Sequence, residues 1–300
     1  MSQGWFDKIL VATDGSPSSV IAEELTALVA KKFESKVTVI HAIFPEYIGL
    51  PLTRPEEEGP GYIPIWWGGR IYVPRAPEVV EEITASLKQR GAAVVADAVS
   101  LFKERGIEVD QRLENADAAE AILNEAESGN YGLITMGSSG EKEREPHLGS
   151  VAKKVSLNAK TSVLIARERK EISKILVPVD GSDNSRKALE HAVALAREMD
   201  SRMTLMNVLE PGFFKVKPEL SKEIGSQILS QAADHAKGVK VDQRLESGHP
   251  AETIIKIARD EEYDLIIMGS RGHGATRRLL LGSVSDHVIH YADRSVLLVK

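Results

Sequence analysis

The sequence predicts an α/β protein made of two tandem doubly wound, Rossmann-like parallel-sheet domains, and three observations carry that prediction. First, Lys8-Ile-Leu-Val-Ala-Thr-Asp14-Gly-Ser16 recurs as Lys174-Ile-Leu-Val-Pro-Val-Asp180-Gly-Ser182. That offset of 166 holds without a gap to Pro45 and Pro211, with 14 of 38 positions identical, so the chain is an internal duplication. Second, runs such as 9–13 are continuously apolar rather than alternating, as expected of strands covered on both faces of a parallel sheet. Third, an apolar run in each copy leads into a glycine-rich loop that opens a helix, a device of α/β sheets.

The elements follow in order. A first strand (9–13; 175–179) ends in Asp-Gly-Ser, where Ser16 or Ser182 caps the next helix and Pro17 takes the favoured first helical position. In the second copy that helix carries Ala188, Leu189, Ala192, Leu195, Ala196 and Met199, an apolar stripe at helical spacing. A second strand (37–43; 203–209) and another helix precede the hexapeptide Val-Asp-Gln-Arg-Leu-Glu, at 109–114 and again at 241–246. A further helix (120–128; 252–261) leads to Tyr131-Gly-Leu-Ile-Thr-Met-Gly-Ser138 and its counterpart at 263–270, both at offset 132. The glycine loop, a last helix (150–158; 283–292) and a final strand (Ser162–Ala166; Ser295–Val299, offset 133) close each copy. The first copy thus has 34 extra residues between Pro45 and Val109 and one fewer in its glycine loop. Domains are expected at 1–168 and 172–300, divided in the charged stretch Arg167-Glu-Arg-Lys-Glu171. Strict alternation of strand and helix argues for right-handed crossovers in a parallel sheet. Each final strand is a short apolar run at a sheet edge, and such an edge must be covered. Pairing these two strands would pack the copies pseudo-symmetrically within one chain.

Composition narrows the function. The 300 residues suffice for two domains of roughly 150 each. With 42% hydrophobic residues and a net charge of −6, the balance favours neither general nucleic-acid binding nor membrane binding. There is no cysteine, which excludes disulfides and thiolate chemistry. No basic segment followed by a long apolar one marks a leader, and no apolar stretch approaches the roughly 20 residues of a membrane span. A cytoplasmic location is the expectation.

Chemistry concentrates in the second copy's loop. Gly269-Ser-Arg-Gly272, nine residues, then Gly282-Ser283 directly follow the apolar run ending at Met268. Glycines there let backbone N–H groups approach an anion, and the following helix N-terminus favours negative charge. The spacing is neither the P-loop's G-x-x-x-x-G-K-[ST] nor the dinucleotide G-x-G-x-x-G. The nine residues include Arg277 and Arg278, with Arg271 before them, so an anion would meet local positive charge. A flexible connector is the plain alternative for such a loop. For Asp14 and Asp180, which end the first strands, the plain alternative is a turn aspartate bonding its own backbone.

The loop matches G-x2-G-x9-G-[S/T] at every fixed position, and in this it resembles the nucleotide loop of the universal stress protein family. The whole chain apart from the 46–79 insertion resembles a tandem member. The resemblance implies an adenine nucleotide α-hydrolase-like fold and a stress-response regulator that binds ATP (or ADP or AMP) with Mg²⁺, mainly in the second copy. By that resemblance adenine would sit between Pro178, Val179 and Asp180 and the backbone near Val208. The phosphates would lie along Met268, Gly269, Ser270, Arg271, Gly272, His273 and Gly274, and along Gly282, Ser283, Val284 and Ser285. No metal site made by protein groups alone is implied.

The first copy departs from the pattern. Asp14, Gly137, Gly140, Gly149 and Ser150 are the counterpart residues, but the eight between Gly140 and Gly149 carry net charge −1 where the second copy's nine carry +2. A carboxylate about 6 Å from a phosphate costs on the order of 3 kcal/mol at an effective dielectric of about 20. Even strongly screened, that offsets a helix-terminus contribution of roughly 0.3–1 kcal/mol. The second copy's Gly248-His-Pro250 is also replaced, by Ala116-Asp-Ala118. A triphosphate is not expected there.

His273 lacks a carboxylate partner in sequence, and neither an H-x-G-H nor an S-G-G-x-D-S signature occurs. A dedicated nucleotidyltransferase is therefore disfavoured, while a slow ATP hydrolase or phosphotransferase using the same pocket stays open. The insertion holds seven of the thirteen prolines between Pro45 and Pro77, and Trp66 and Trp67 are two of the three tryptophans. It reads either as a loop packed on its own side chains or as a lid or contact surface, for an unknown protein partner or a second whole chain. A nucleotide-independent interaction module acting through Trp66 and Trp67 is the third function compatible with the sequence.

Overall fold

The structure is a computed structural model that describes residues 4–43, 77–140, 148–167, 171–210, 218–272 and 281–300. The first copy runs β1 (Lys8–Ala12), α1 (Pro17–Phe33), β2 (Lys36–Ala42), α2 (Pro77–Glu104), β3 (Val109–Glu114), α3 (Ala118–Ser128), β4 (Leu133–Gly137), α4 (Ser150–Asn158) and β5 (Ser162–Ala166). The second repeats the order with β6 (Lys174–Pro178), α5 (Asp183–Met199), β7 (Arg202–Leu209), α6 (Pro218–His235), β8 (Val241–Ser247), α7 (Pro250–Asp260), β9 (Leu265–Gly269), α8 (Ser283–Tyr291) and β10 (Ser295–Val299).

The caps expected from Asp-Gly-Ser are present. Ser16 Oγ accepts from the Ser19 N–H and Ser182 Oγ from the Ser185 N–H, each at 3.2 Å. Pro17 opens α1, where its missing donor removes nothing. The stripe on α5 is buried at Ala188, Leu189, Ala192, Leu195 and Ala196, with Met199 packed at its margin.

The ten strands of the described residues form one sheet in the order β3-β2-β1-β4-β5-β10-β9-β6-β7-β8. Within each copy every pairing is parallel. The copies meet where β5 and β10 pair antiparallel, Val163 with Leu298, Leu164 with Leu297 and Ile165 with Val296. Leu164 and Leu297 are equivalent residues of the two repeats, so the pseudo-two-fold axis passes through that pair. The expected pairing of the final strands is thus found. Alternate strand residues feed two apolar layers, Ile9, Val11, Leu164, Ile175 and Leu297 into one and Leu10, Val163, Ile165, Leu176 and Val296 into the other. Each layer draws on both copies.

The repeated hexapeptide supplies β3 and β8, the outermost strands, whose side chains are mostly exposed or half-exposed. Charge on an open edge discourages pairing with another chain, which accounts for a polar strand in an otherwise apolar sheet. One expectation shifts. The helix α2 spans 28 residues against 18 in α6 and begins at Pro77, inside the segment 46–79 read as insertion. Part of the added length therefore extends a helix; the Trp66–Trp67 stretch lies outside the described residues.

Candidate functional site

In each copy the chain winds outward from its first strand through two neighbours, then returns to the other side for its fourth. The carboxyl ends of β1 and β4, and of β6 and β9, consequently flank a switch-point crevice, where open α/β sheets receive ligands. Asp180 and the second glycine loop emerge on its two sides.

Asp180 makes the turn expected of a strand-end aspartate, and the glycine loop closes on it. Its Oδ1 accepts the Ser182 N–H at 2.9 Å, an aspartate turn, while a Cβ added at Gly272 would collide with its Oδ2. The first copy repeats this, Asp14 Oδ1 accepting from Ser16 at 3.0 Å and Oδ2 lying 3.0 Å from a would-be Cβ at Gly140. The second glycine of each loop therefore lets the loop backbone close on the aspartate. Gly269 has another task, since a Cβ there would stand 2.7 Å from the Asn184 backbone at the head of α5. It allows strand and helix to pack.

The loop's two halves meet. The Gly282 N–H donates to Ser270 O at 2.8 Å, Ser285 Oγ to Gly269 O at 2.8 Å, and the Ser270 N–H to Val299 O at 2.8 Å. Gly282 is the N-cap of α8 and offers no side-chain bond to its first turn. Met268, Gly269, Ser270, Gly282 and Ser285 are buried; Arg271, Gly272 and Ser283 are exposed, and Val284 is half-buried. Pro178 and Val208 are half-buried and Val179 is buried beside them. His273 and Gly274 lie outside the described residues, as do Arg277 and Arg278.

Pro178 opens the crevice. Strand N–H groups alternate sides, and Val179 donates to Met206 of β7 at 2.8 Å, so position 178 faces β9. Proline has no donor to give there. The β6–β9 ladder accordingly stops at Leu176–Ile266, whereas β1, with Ala12 at the matching place, pairs with β4 as far as Ala12–Met136.

The first copy has a cavity of about 320 Å³, and all five counterpart residues, Asp14, Gly137, Gly140, Gly149 and Ser150, line it. That falls at the lower end of the roughly 300–1,000 Å³ of small-molecule pockets. Ser19, His41 and Ile122 line it as well and were not foreseen; the repeat maps them to Ser185, Asn207 and Ile254. His41 Nδ1 bonds Thr13 O and Asn207 Nδ2 donates to Val179 O, both at 2.7 Å, so each ties the second strand to the end of the first. A polar residue near the end of an apolar strand was the available signal. Behind the first cavity Glu23 is buried, and burial, with Asp14 adding to it, holds its carboxyl above the usual range. The second copy has Leu189 there.

The Universal stress protein family model matches this chain twice, at residues 69–167 and 171–300. The chain belongs to the universal stress protein family. It is a tandem member, as the repeat and the ten-stranded sheet require. A universal stress protein of Methanocaldococcus jannaschii is 36% identical over 138 residues, which is 42% of this chain and 81% of that protein. One of Bacillus subtilis is 34% identical over 147 residues, 43% of this chain and 99% of that protein. Among solved structures, a universal stress protein from Archaeoglobus fulgidus aligns over 99% of both chains with a TM-score of 0.71 at 22% identity, a likeness of fold. No helix among the described residues is long and apolar enough to cross a membrane.

Proposed function

We propose that this universal stress protein is a cytoplasmic stress-response regulator that binds ATP, or ADP or AMP, mainly in its second copy, with 1–168 and 172–300 acting as the two domains. The observation that carries nucleotide binding is the closure of the glycine loop, which the first copy shares through Gly149 and Ser138 at 2.7 Å, while charge and loop spacing carry the preference for the second. Gly282 bonds Ser270, which brings both glycine segments to the uncapped start of α8, across the crevice from Asp180. Backbone donors gathered at a helix N-terminus suit phosphates. Arg271 and the +2 charge of the following nine residues favour an anion. Pro178, Val179, Asp180 and Val208 would hold the base and sugar; Gly269–Gly274 and Gly282–Ser285 would hold the phosphates. Mg²⁺ would come with the nucleotide.

At a nucleotide concentration about 100 times its dissociation constant, the second domain should gain about 2.7 kcal/mol of stability, read as a shift of its unfolding transition. Gly282→Asp should abolish the gain, because its side chain would meet the Arg271 and Ser270 backbone at 3.3–3.4 Å and bring a carboxylate to the phosphates. Gly149→Asp should leave it intact. Equal losses from the two variants would refute the asymmetry.

The cavity in the first copy favours a second reading for that copy alone. It accepts an adenine nucleoside or a nucleotide with fewer phosphates, repelled less by the acidic loop. AMP binding that survives Gly282→Asp but not Gly149→Asp would support this.

A further inference from the structure

Arg167 and Lys300 occupy equivalent places, one residue beyond β5 and beyond β10, and each reaches across the junction to the other copy. The Arg167 guanidinium donates to Ile289 O in α8 through Nη2 and to Arg294 O through Nη1 at 3.1 Å, while its backbone N–H donates to Ser295 Oγ at 3.1 Å. Lys300 Nζ donates to Ser156 O in α4 at 2.7 Å. Ile289 and Ser156 are themselves equivalent, separated by the same offset of 133 as Arg167 and Lys300. The two contacts are thus a reciprocal pair about the Leu164–Leu297 axis.

Both receivers are the helices that start at a glycine loop. Each has nine residues, so its two ends lie only about 13 Å apart. In neither does a side chain cap the first turn. What grips the carbonyl end of so short a helix also sets where its N–H end points. The grip is costly to build. Arg167 is 7% exposed, and burial pulls its guanidinium down to about 10, with Asp293 opposing; burial, with Arg271 adding, holds Lys300 at about 8. An apolar side chain would fill the same space without that desolvation. A cation earns retention there because the last carbonyls and the negative end of the helix dipole receive it.

We propose that Arg167 and Lys300 are cross-copy positioning residues: each copy orients the loop-borne helix of the other, and the second copy's grip on a nucleotide phosphate depends on Arg167 of the first. The affinity consequence rests on the reading that the second loop takes the phosphates; the orientation of the helices does not. Linkage then requires that a ligand at the second loop tighten the Arg167 contact in return.

The test uses the full chain with Arg167→Met, Arg167→Lys and Lys300→Met, reading ATP–Mg²⁺ affinity by calorimetry and helix opening by hydrogen exchange without ligand. Arg167→Met should weaken ATP binding by about two- to thirty-fold, the span of a helix-terminus charge. It should speed exchange in 283–291 while leaving 150–158 unchanged, and Arg167→Lys should restore part of both. Lys300→Met should loosen 150–158 instead. Unchanged affinity and exchange in Arg167→Met, or equal loosening of both helices, overturns the proposal. If the unaltered chain takes up no ATP, the ligand reading falls, whereas selective loosening of 283–291 still supports Arg167 as the residue that positions α8.

Discussion

His191 shows how one side chain joins the copies and makes the joint sensitive to acid. Its ring stacks on Trp5 with centroids 4.0 Å apart and planes at 16°, and its Nδ1 bonds Lys187 O at 2.9 Å. Burial is the main cause that lowers its pKa from 6.5 to about 4, so the folded protein holds it neutral. The unfolded chain takes up the proton near pH 6.5. Stability is therefore full above pH 6.5 and falls as pH drops toward 4, by at most about 3 kcal/mol. Denaturation curves from pH 7 to 4 should show this slope, and His191→Phe should flatten it; an equal slope in that variant would assign it to other groups. Local chemistry made some residues legible: Ser16 and Ser182 as caps, Pro17 at the helix start, Asp14 and Asp180 at the strand ends. Trp5 with His191 was not legible, because the contact joins segments 186 positions apart and has no counterpart in the repeat. Gly225 was hidden likewise. A Cβ there would come within 2.8 Å of Leu245 and Asn207, a crossing visible only once α6 lies on the sheet.

Among the elements, β5 and β10 turn two sheets into one. Leu297 is 1% exposed and Leu164 2%, and they face each other at the centre of the junction. Leu297→Asp would bury a carboxylate among aliphatic side chains, at a cost on the order of 4 kcal/mol. The variant should aggregate or swing its halves apart, seen as a larger radius in solution scattering; a chain as compact as the parent would refute the role given to this pair. Continuous apolar runs revealed the strands, and the repeat revealed which were edges. Strand ends moved by a residue, because ladder bonds such as Thr13 to Ile40 at 3.0 Å outlast the regular geometry. The longer α2 escaped notice because proline and glycine dominate the segment before it.

At the scale of the molecule, the antiparallel junction reverses one copy against the other. The carboxyl edges of the two half-sheets, and with them the two crevices, open on opposite rims. No single small ligand reaches both, so communication between them must pass through the protein, along β5, β10 and the helices they hold. Residues 171–300 expressed alone should form a dimer by pairing β10 with itself, and Leu297→Asp in that fragment should give monomers in sedimentation. A monomeric parent fragment would show that the edge is tolerated uncovered. Two-copy architecture was the most legible property of all, since identity at a fixed offset needs no physics to detect. The difference between the two loops was legible through charge and spacing, and the cavity of the first copy was not, because its walls come from five separate stretches of chain.

Fusion also changes what the central leucine pair permits. In a dimer of identical chains one codon writes both sides of the axis, so any charge introduced there faces its own kind. Here positions 164 and 297 have separate codons. A lysine can be set against an aspartate, or a small residue against a large one, and such a lock-and-key spelling admits only this chain's own other half. Linking the copies thus leaves room for a junction that refuses single-copy relatives, although the present pair, leucine on both sides, does not itself do so.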